Sequence, residues 1–172
     1  MIGIISTSMN SFIIMDKIRK KYKNIDIYIY TNDLNIEDKV HNLINKGCKI
    51  IIVDSINKNK WDYLDVFFID VSKVRIDINN SYSFSENDVV NWIEQGNQKM
   101  ILDYLRNIKI DDDKVIVLRD IRMIFIKNEI IKFFSNKIVD SLDIMMMKID
   151  DYINMNKINF NNNGISRYLI DE

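Results

Sequence analysis

The chain has 172 residues, enough for one sizeable domain or one domain with a small appendage. Apolar residues make up 47%, which excludes wholesale disorder, and a net charge of -1 from 24 basic and 25 acidic side chains gives no electrostatic case for nucleic acid. No apolar run reaches the length of a membrane span, and the opening MIGIISTSMN lacks the basic flank and long apolar stretch of a signal peptide. The single cysteine, Cys48, has no possible disulfide partner in the chain, so the expected setting is a reducing cytoplasm.

Proline is absent and glycine occurs at four positions, so Asn and Asp must supply most turns. Met1 to Ile5 reads as a short strand, and Phe12, Met15 and Ile18 mark a helix from Met9 to Tyr22. Ile25 to Tyr30 is aromatic and β-branched, a second strand. Asn32, Asp33 and Asn35 offer caps for a helix from Ile36 to Lys46, ended by Gly47. Lys49 to Val53 and Val66 to Val71 are further strands, and residues 72 to 85 read as irregular. Ser85, with Glu86 and Asp88 in the first turn, starts one long helix running to Asn107. Lys114 to Leu118 is a buried-type strand, followed by a helix from Met123 to Phe134 and a short strand at Ile138 and Val139. Ser141 is the expected cap of a last helix to Met155, and Arg167 to Ile170 reads as an edge strand. Strands alternating with helices imply an α/β fold, a mostly parallel sheet with helices on both faces.

In such a sheet, ligands sit just past the carboxyl ends of the strands. KIIIVDSINKNK places Asp54, Ser55 and Asn57 there. In STSMNS the hydroxyls of Ser6, Thr7 and Ser8 are read as caps on the following helix, with anion binding at the same helix start as the alternative. That turn has no glycine and makes no phosphate loop. His41, between Val40 and Leu43, reads as an ordinary helix residue, and Cys48 as a packing residue at the amino end of its strand. Asp111 to Asp113 reads as a solvated turn, and no Cys/His cluster has metal-site spacing. At most two of Met145, Met146 and Met147 can face a core, so the exposed part of that helix, with Trp61, Tyr63 and Trp92, is the expected contact surface.

Three segments together resemble one family. GIISTSMNSFIIMDKIRKKYKNIDI is similar to an opening G-I-F-D-S-G-x-G-G-L, a helix and N-x-D-I. NLINKGCKIIIVDSIN is similar to a helix followed by K-G-x-K-x-I-V-V-A-C-N-T, and KVIVLRDIRMIFIKNEIIKFFSNKIVDSLD to L-V-L-G-C-T-H-Y-P-L-L, a helix ending in F-F, and I-I-D-S-G-E. The chain resembles the glutamate racemases of the aspartate/glutamate racemase superfamily, in a truncated and divergent form. The resemblance implies a flavodoxin-like racemase domain at 1–80 plus 138–172 and a strongly reduced second domain at 81–137, with the shortfall between Val71 and Ser85. It implies cofactor-independent chemistry, no metal and a homodimer.

The family's functional positions fall on other residues here. Its Asp-Ser-Gly lands on Ser6, Thr7 and Ser8, and its first catalytic cysteine on Ser55, followed by Ile56 and Asn57. Its second catalytic cysteine lands on Asp120, and the adjacent histidine on Arg122. The Pro-Tyr-Gly loop expected after Asn32 and Asp33 is missing. Ser6, Thr7, Asn32, Asn57 and Arg122 are therefore the substrate-binding candidates.

Racemisation without a cofactor needs a base on each face of the α-carbon, and thiols can be tuned to that task. A serine hydroxyl cannot be without a strong neighbouring base, and Arg119 and Arg122 are expected to hold Asp120 as a weak base. The expectation is a glutamate racemase-like pseudoenzyme that acts through binding or assembly, with a small acidic ligand or a protein partner. The alternative is a cofactor-independent amino-acid racemase, or another enzyme on a small acidic substrate, in which Ser55, Asp120, Asn32, Asn57 and Arg122 support a different reaction.

Overall fold

A computed structural model describes residues 1–172 except 33, 55–64, 75, 161 and 170–172, and does not describe the side chains of residues 8 and 73. The chain forms two units, Met1–Lys73 with Met145–Glu172, and Val74–Ile144.

The first unit is built on a five-stranded parallel sheet. Its strands are β1 (Ile2–Ile5), β2 (Ile27–Tyr30), β3 (Ile50–Val53), β4 (Phe67–Asp70) and β8 (Ser166–Tyr168), in the order β4-β3-β1-β2-β8. All pairings are parallel, and Ile2 sits opposite both Ile27 and Ile50. The central strands IGII and IIIV are buried throughout, as expected of strands covered on both faces. Helix α2 (Ile36–Asn45) covers one face, where Val40 and Leu43 pack with Ile5, Ile51 and Val53. Gly3 permits this approach: a Cβ there would lie 2.6 Å from Leu43 Cδ1. Successive residues of a strand point to opposite faces, so Ile2 and Ile4 belong to the other side. Helix α1 (Ser8–Lys21) packs against β1 and β2 and buries Ile13, Ile14 and Ile18.

The second unit holds a three-stranded parallel sheet, β5 (Ser81–Tyr82), β6 (Val115–Leu118) and β7 (Ile138–Asp140), with β6 in the middle. Helices α3 (Glu86–Glu94), α4 (Gln98–Asn107) and α5 (Lys127–Phe133) accompany it, α5 being preceded by a 3-10 turn over Ile121–Ile126. Val89, Ile101, Leu105, Ile116, Leu118, Met123 and Ile130 form its core. The unit boundary falls inside α6 (Ser141–Met155).

Several local expectations change. The single helix from Ser85 to Asn107 is two, because Gly96 takes a left-handed φ of +65 and the Asn97 side chain caps α4 by accepting from the Met100 N–H at 3.3 Å. The stretch read as irregular contains a 3-10 turn at Val71–Lys73 and the two-residue β5. Ser141 opens α6, but the capping acceptor is Asp140, which takes the Asp143 N–H at 2.7 Å. Residues read as caps at Ser85 and Asn35 occupy the capping positions without a side-chain cap bond. The methionine run behaves as the helix period requires, with Met145 and Met146 buried and Met147 58% exposed.

Candidate functional site

The order β3-β1-β2 means that the chain leaves β1 in opposite directions on its two sides. The crevice outside the carboxyl ends of β1 and β3 is therefore a topological switch point, where open α/β sheets bind ligands. Among the described residues, three side chains meet there. Ser6, just past β1 and fully buried, donates from Oγ to Asp54 Oδ2 at 3.4 Å. Asn10, in the first turn of α1, donates its amide to the same oxygen. Asp54 is anchored just past β3 by its own N–H, which donates to the Ile5 carbonyl at 3.2 Å. Asn10 Oδ1 is buried and has no hydrogen-bond partner among the described residues.

Other sequence candidates separate. Thr7 is the N-cap residue of α1 by backbone position, but its hydroxyl makes no cap bond, and Ser6 turns to Asp54 instead of the helix. Asn32, past β2, is engaged by Lys39 of α2, whose ammonium donates to its carbonyl at 3.3 Å and to its side-chain oxygen. Lys39 is buried and its ammonium lies 5.3 Å from the Tyr30 ring centroid. Ser55 and Asn57, like Trp61 and Tyr63, lie outside the described residues. Trp92, expected at a contact surface, is partly buried against the second unit's core, 5.4 Å from the Tyr104 ring.

Cys48 is 1% exposed in the core beneath α2, at the amino end of β3, and burial pushes its thiol up to about 11. His41 is exposed on α2. A groove of about 410 Å³ between Tyr22, Ile25, Ile153, Ile158 and Phe160 lies by the amino end of β2, where such sheets do not place ligands. Among the described residues no group of His, Cys, Asp and Glu is arranged to hold a metal ion, and no helix is long and apolar enough to cross a membrane.

In the second unit the loop after β6 carries the other candidates. Asp120 Oδ1 accepts from the backbone N–H and the Nε of Arg122, both at 2.9 Å, and Oδ2 accepts from its NH2 at 2.6 Å. The same guanidinium reaches Glu94. Burial works to raise the Asp120 carboxyl, but the hydrogen bonds and charge of Arg122 outweigh it and hold the group below its usual range. Asp120 in turn raises Arg122. The Arg119 guanidinium turns away to Ser83 Oγ. Glu86, at the start of α3, accepts from the Arg119 N–H at 2.6 Å and the Asp120 N–H at 3.1 Å.

Asn10, Lys39 and Glu86 are not among the functional candidates of the sequence, where Glu86 is only a first-turn acid of its helix. Asn10 lies one turn past a strand end, which is a usable signal. Glu86 is 33 residues from its partner Arg119, and only the fold joins them.

These two parallel sheets and their helices define an α/β protein. The structure is similar to the crystal structure of glutamate racemase from Thermus thermophilus in complex with β-chloro-D-alanine, with a TM-score of 0.71 and 12% identity over 97% of this chain and 86% of that chain. No family model matches the sequence, and no curated protein matches it.

Proposed function

We propose that this chain is a glutamate racemase-like protein that binds without racemising. The observation that carries the reading is the state of Cys48: the chain's one thiol is buried at the amino end of β3, with its pKa pushed to about 11. A thiol in that place is neither at a strand's carboxyl end nor ready to ionise. Asp120, at the position where the resemblance puts a second catalytic cysteine, is held as a carboxylate by Arg122 and is a weak base.

The retained role is binding at the crevice outside β1 and β3. Ser6 and Asn10 direct neutral donors onto Asp54, which places a carboxylate there. The ligand proposed for that crevice is a small acid. The reading includes a cytoplasmic protein that self-associates or holds a protein partner; a chain that sediments as a monomer at high concentration, with nothing co-purifying, counts against that part.

The test is exchange at the α-carbon. Purified protein is incubated in D2O with D- or L-glutamate and D- or L-aspartate, and loss of the α-proton signal is followed by NMR. No loss beyond the protein-free rate is expected. Protein-dependent exchange overturns the reading.

A further inference from the structure

We propose that the backbone N–H groups of Arg119 and Asp120 form a carboxylate-binding nest, and that Glu86 is its resident intramolecular ligand. The wild-type chain then excludes small carboxylates from the second unit, and removal of the Glu86 side chain admits them.

The geometry is that of a two-point anion site. Arg119 and Asp120 directly follow β6, and their successive N–H groups point at the two different oxygens of one carboxylate, Oε1 at 2.6 Å and Oε2 at 3.1 Å. Successive backbone N–H groups in a turn make a known concavity for anions. Charge-assisted bonds from two donors to two oxygens recognise the planar carboxylate specifically. Around the nest, Arg122 spans Asp120 and Glu94, while Arg119 lies on Ser83. Without Glu86, the charged side chains around the nest are Arg119, Arg122, Asp120 and Glu94, so it is not ringed by surplus negative charge.

Glu86 and Arg119 are partly or fully exposed, so the nest opens toward solvent once Glu86 is removed. A site held by its own side chain lowers the apparent affinity for any free ligand by the fraction of time it stands open. The inference concerns the second unit alone and does not depend on whether the chain racemises.

The experiment is an NMR titration of the full 15N-labelled chain, wild type and Glu86→Ala, with sodium acetate at ionic strength held constant by chloride. In Glu86→Ala the Arg119 and Asp120 amide signals are expected to move saturably, with a midpoint at least about tenfold below any wild-type response. Chloride alone should not move them. A folded Glu86→Ala that shows no saturable shift, or a wild type that responds equally, overturns the proposal. If Glu86→Ala does not fold, Glu86→Gln is read instead. It keeps one acceptor oxygen without the charge, and its midpoint should lie below any wild-type response; a folded, silent Glu86→Gln also overturns the proposal. Either result leaves the α-carbon exchange result standing on its own.

Discussion

Arg122 folds back on Asp120, two residues before it, and binds both oxygens of its carboxylate while its other nitrogen reaches Glu94. Both partners are about a quarter exposed, at 29% and 26%, so the pair is partly screened by water. Asp120→Asn should cost about 1 kcal/mol at neutral pH. The folded-state pKa of Asp120 lies below its usual 3.8, so its contribution is complete above that value and fades as pH falls toward and through the lower folded value. Urea unfolding of both proteins at pH 7 and pH 3 checks this: the gap between them should narrow in acid.

Lys127 donates to Asp140 Oδ2 at 2.5 Å and to Asp143 at 3.3 Å, and the Asp140 residue is only 4% exposed. Lys127→Met removes the cation and leaves that carboxylate buried, which should cost about 3 kcal/mol. Lys127→Met combined with Asp140→Asn should recover part of this loss, since the uncompensated charge is gone. A double-mutant cycle in urea reads the coupling. Additive single losses would show that the pair does not interact.

Gly96 and Gly164 have similar left-handed φ values, +65 and +71, in different surroundings. A Cβ at Gly96 meets nothing within 4 Å, whereas one at Gly164 would lie 2.3 Å from the Lys23 carbonyl oxygen. Gly96→Ala should therefore cost about 1 kcal/mol, the conformational penalty alone. Gly164→Ala must also displace backbone and should cost about 3 kcal/mol. It adjoins Ile165, whose N–H is held by Asp26 at 2.9 Å, so hydrogen exchange at β8 should rise in this variant first.

Cys48 provides a direct probe of the core beneath α2. With a pKa of about 11, on the order of a thousandth of the thiol is ionised at pH 8. Burial denies reagent access as well. Ellman's reagent should leave the native protein unmodified over minutes and titrate one thiol per chain in guanidinium. Fast reaction of the native protein would contradict the position of Cys48.

The strand cores are legible in the amino-acid order alone. Ile50 to Val53 and Val115 to Leu118 are uninterrupted β-branched or leucine runs, the pattern of strands in a covered parallel sheet. The break at Gly96 is not legible, because the apolar spacing through Val89, Trp92, Ile93, Met100 and Ile101 continues in helical phase across it. β5 is hidden because Ser81 and Tyr82 carry too short a pattern to show a period.

The α/β alternation, the single thiol and the near-neutral charge all follow from the residues alone, since they depend on composition and on contacts within a few positions. The same holds for the placement of Ser6, Asp54 and Asp120 at strand ends, because a strand's end is visible where apolar residues stop. What those residues do there depends on the folded chain. Asp54 meets Ser6 and Asn10 across 48 and 44 positions, and Glu86 reaches the amides of Arg119 and Asp120 across 33 and 34. Hydrogen bonds need donor and acceptor within about 3 Å. No local pattern encodes that distance between segments brought together by parallel strand pairing and crossover helices.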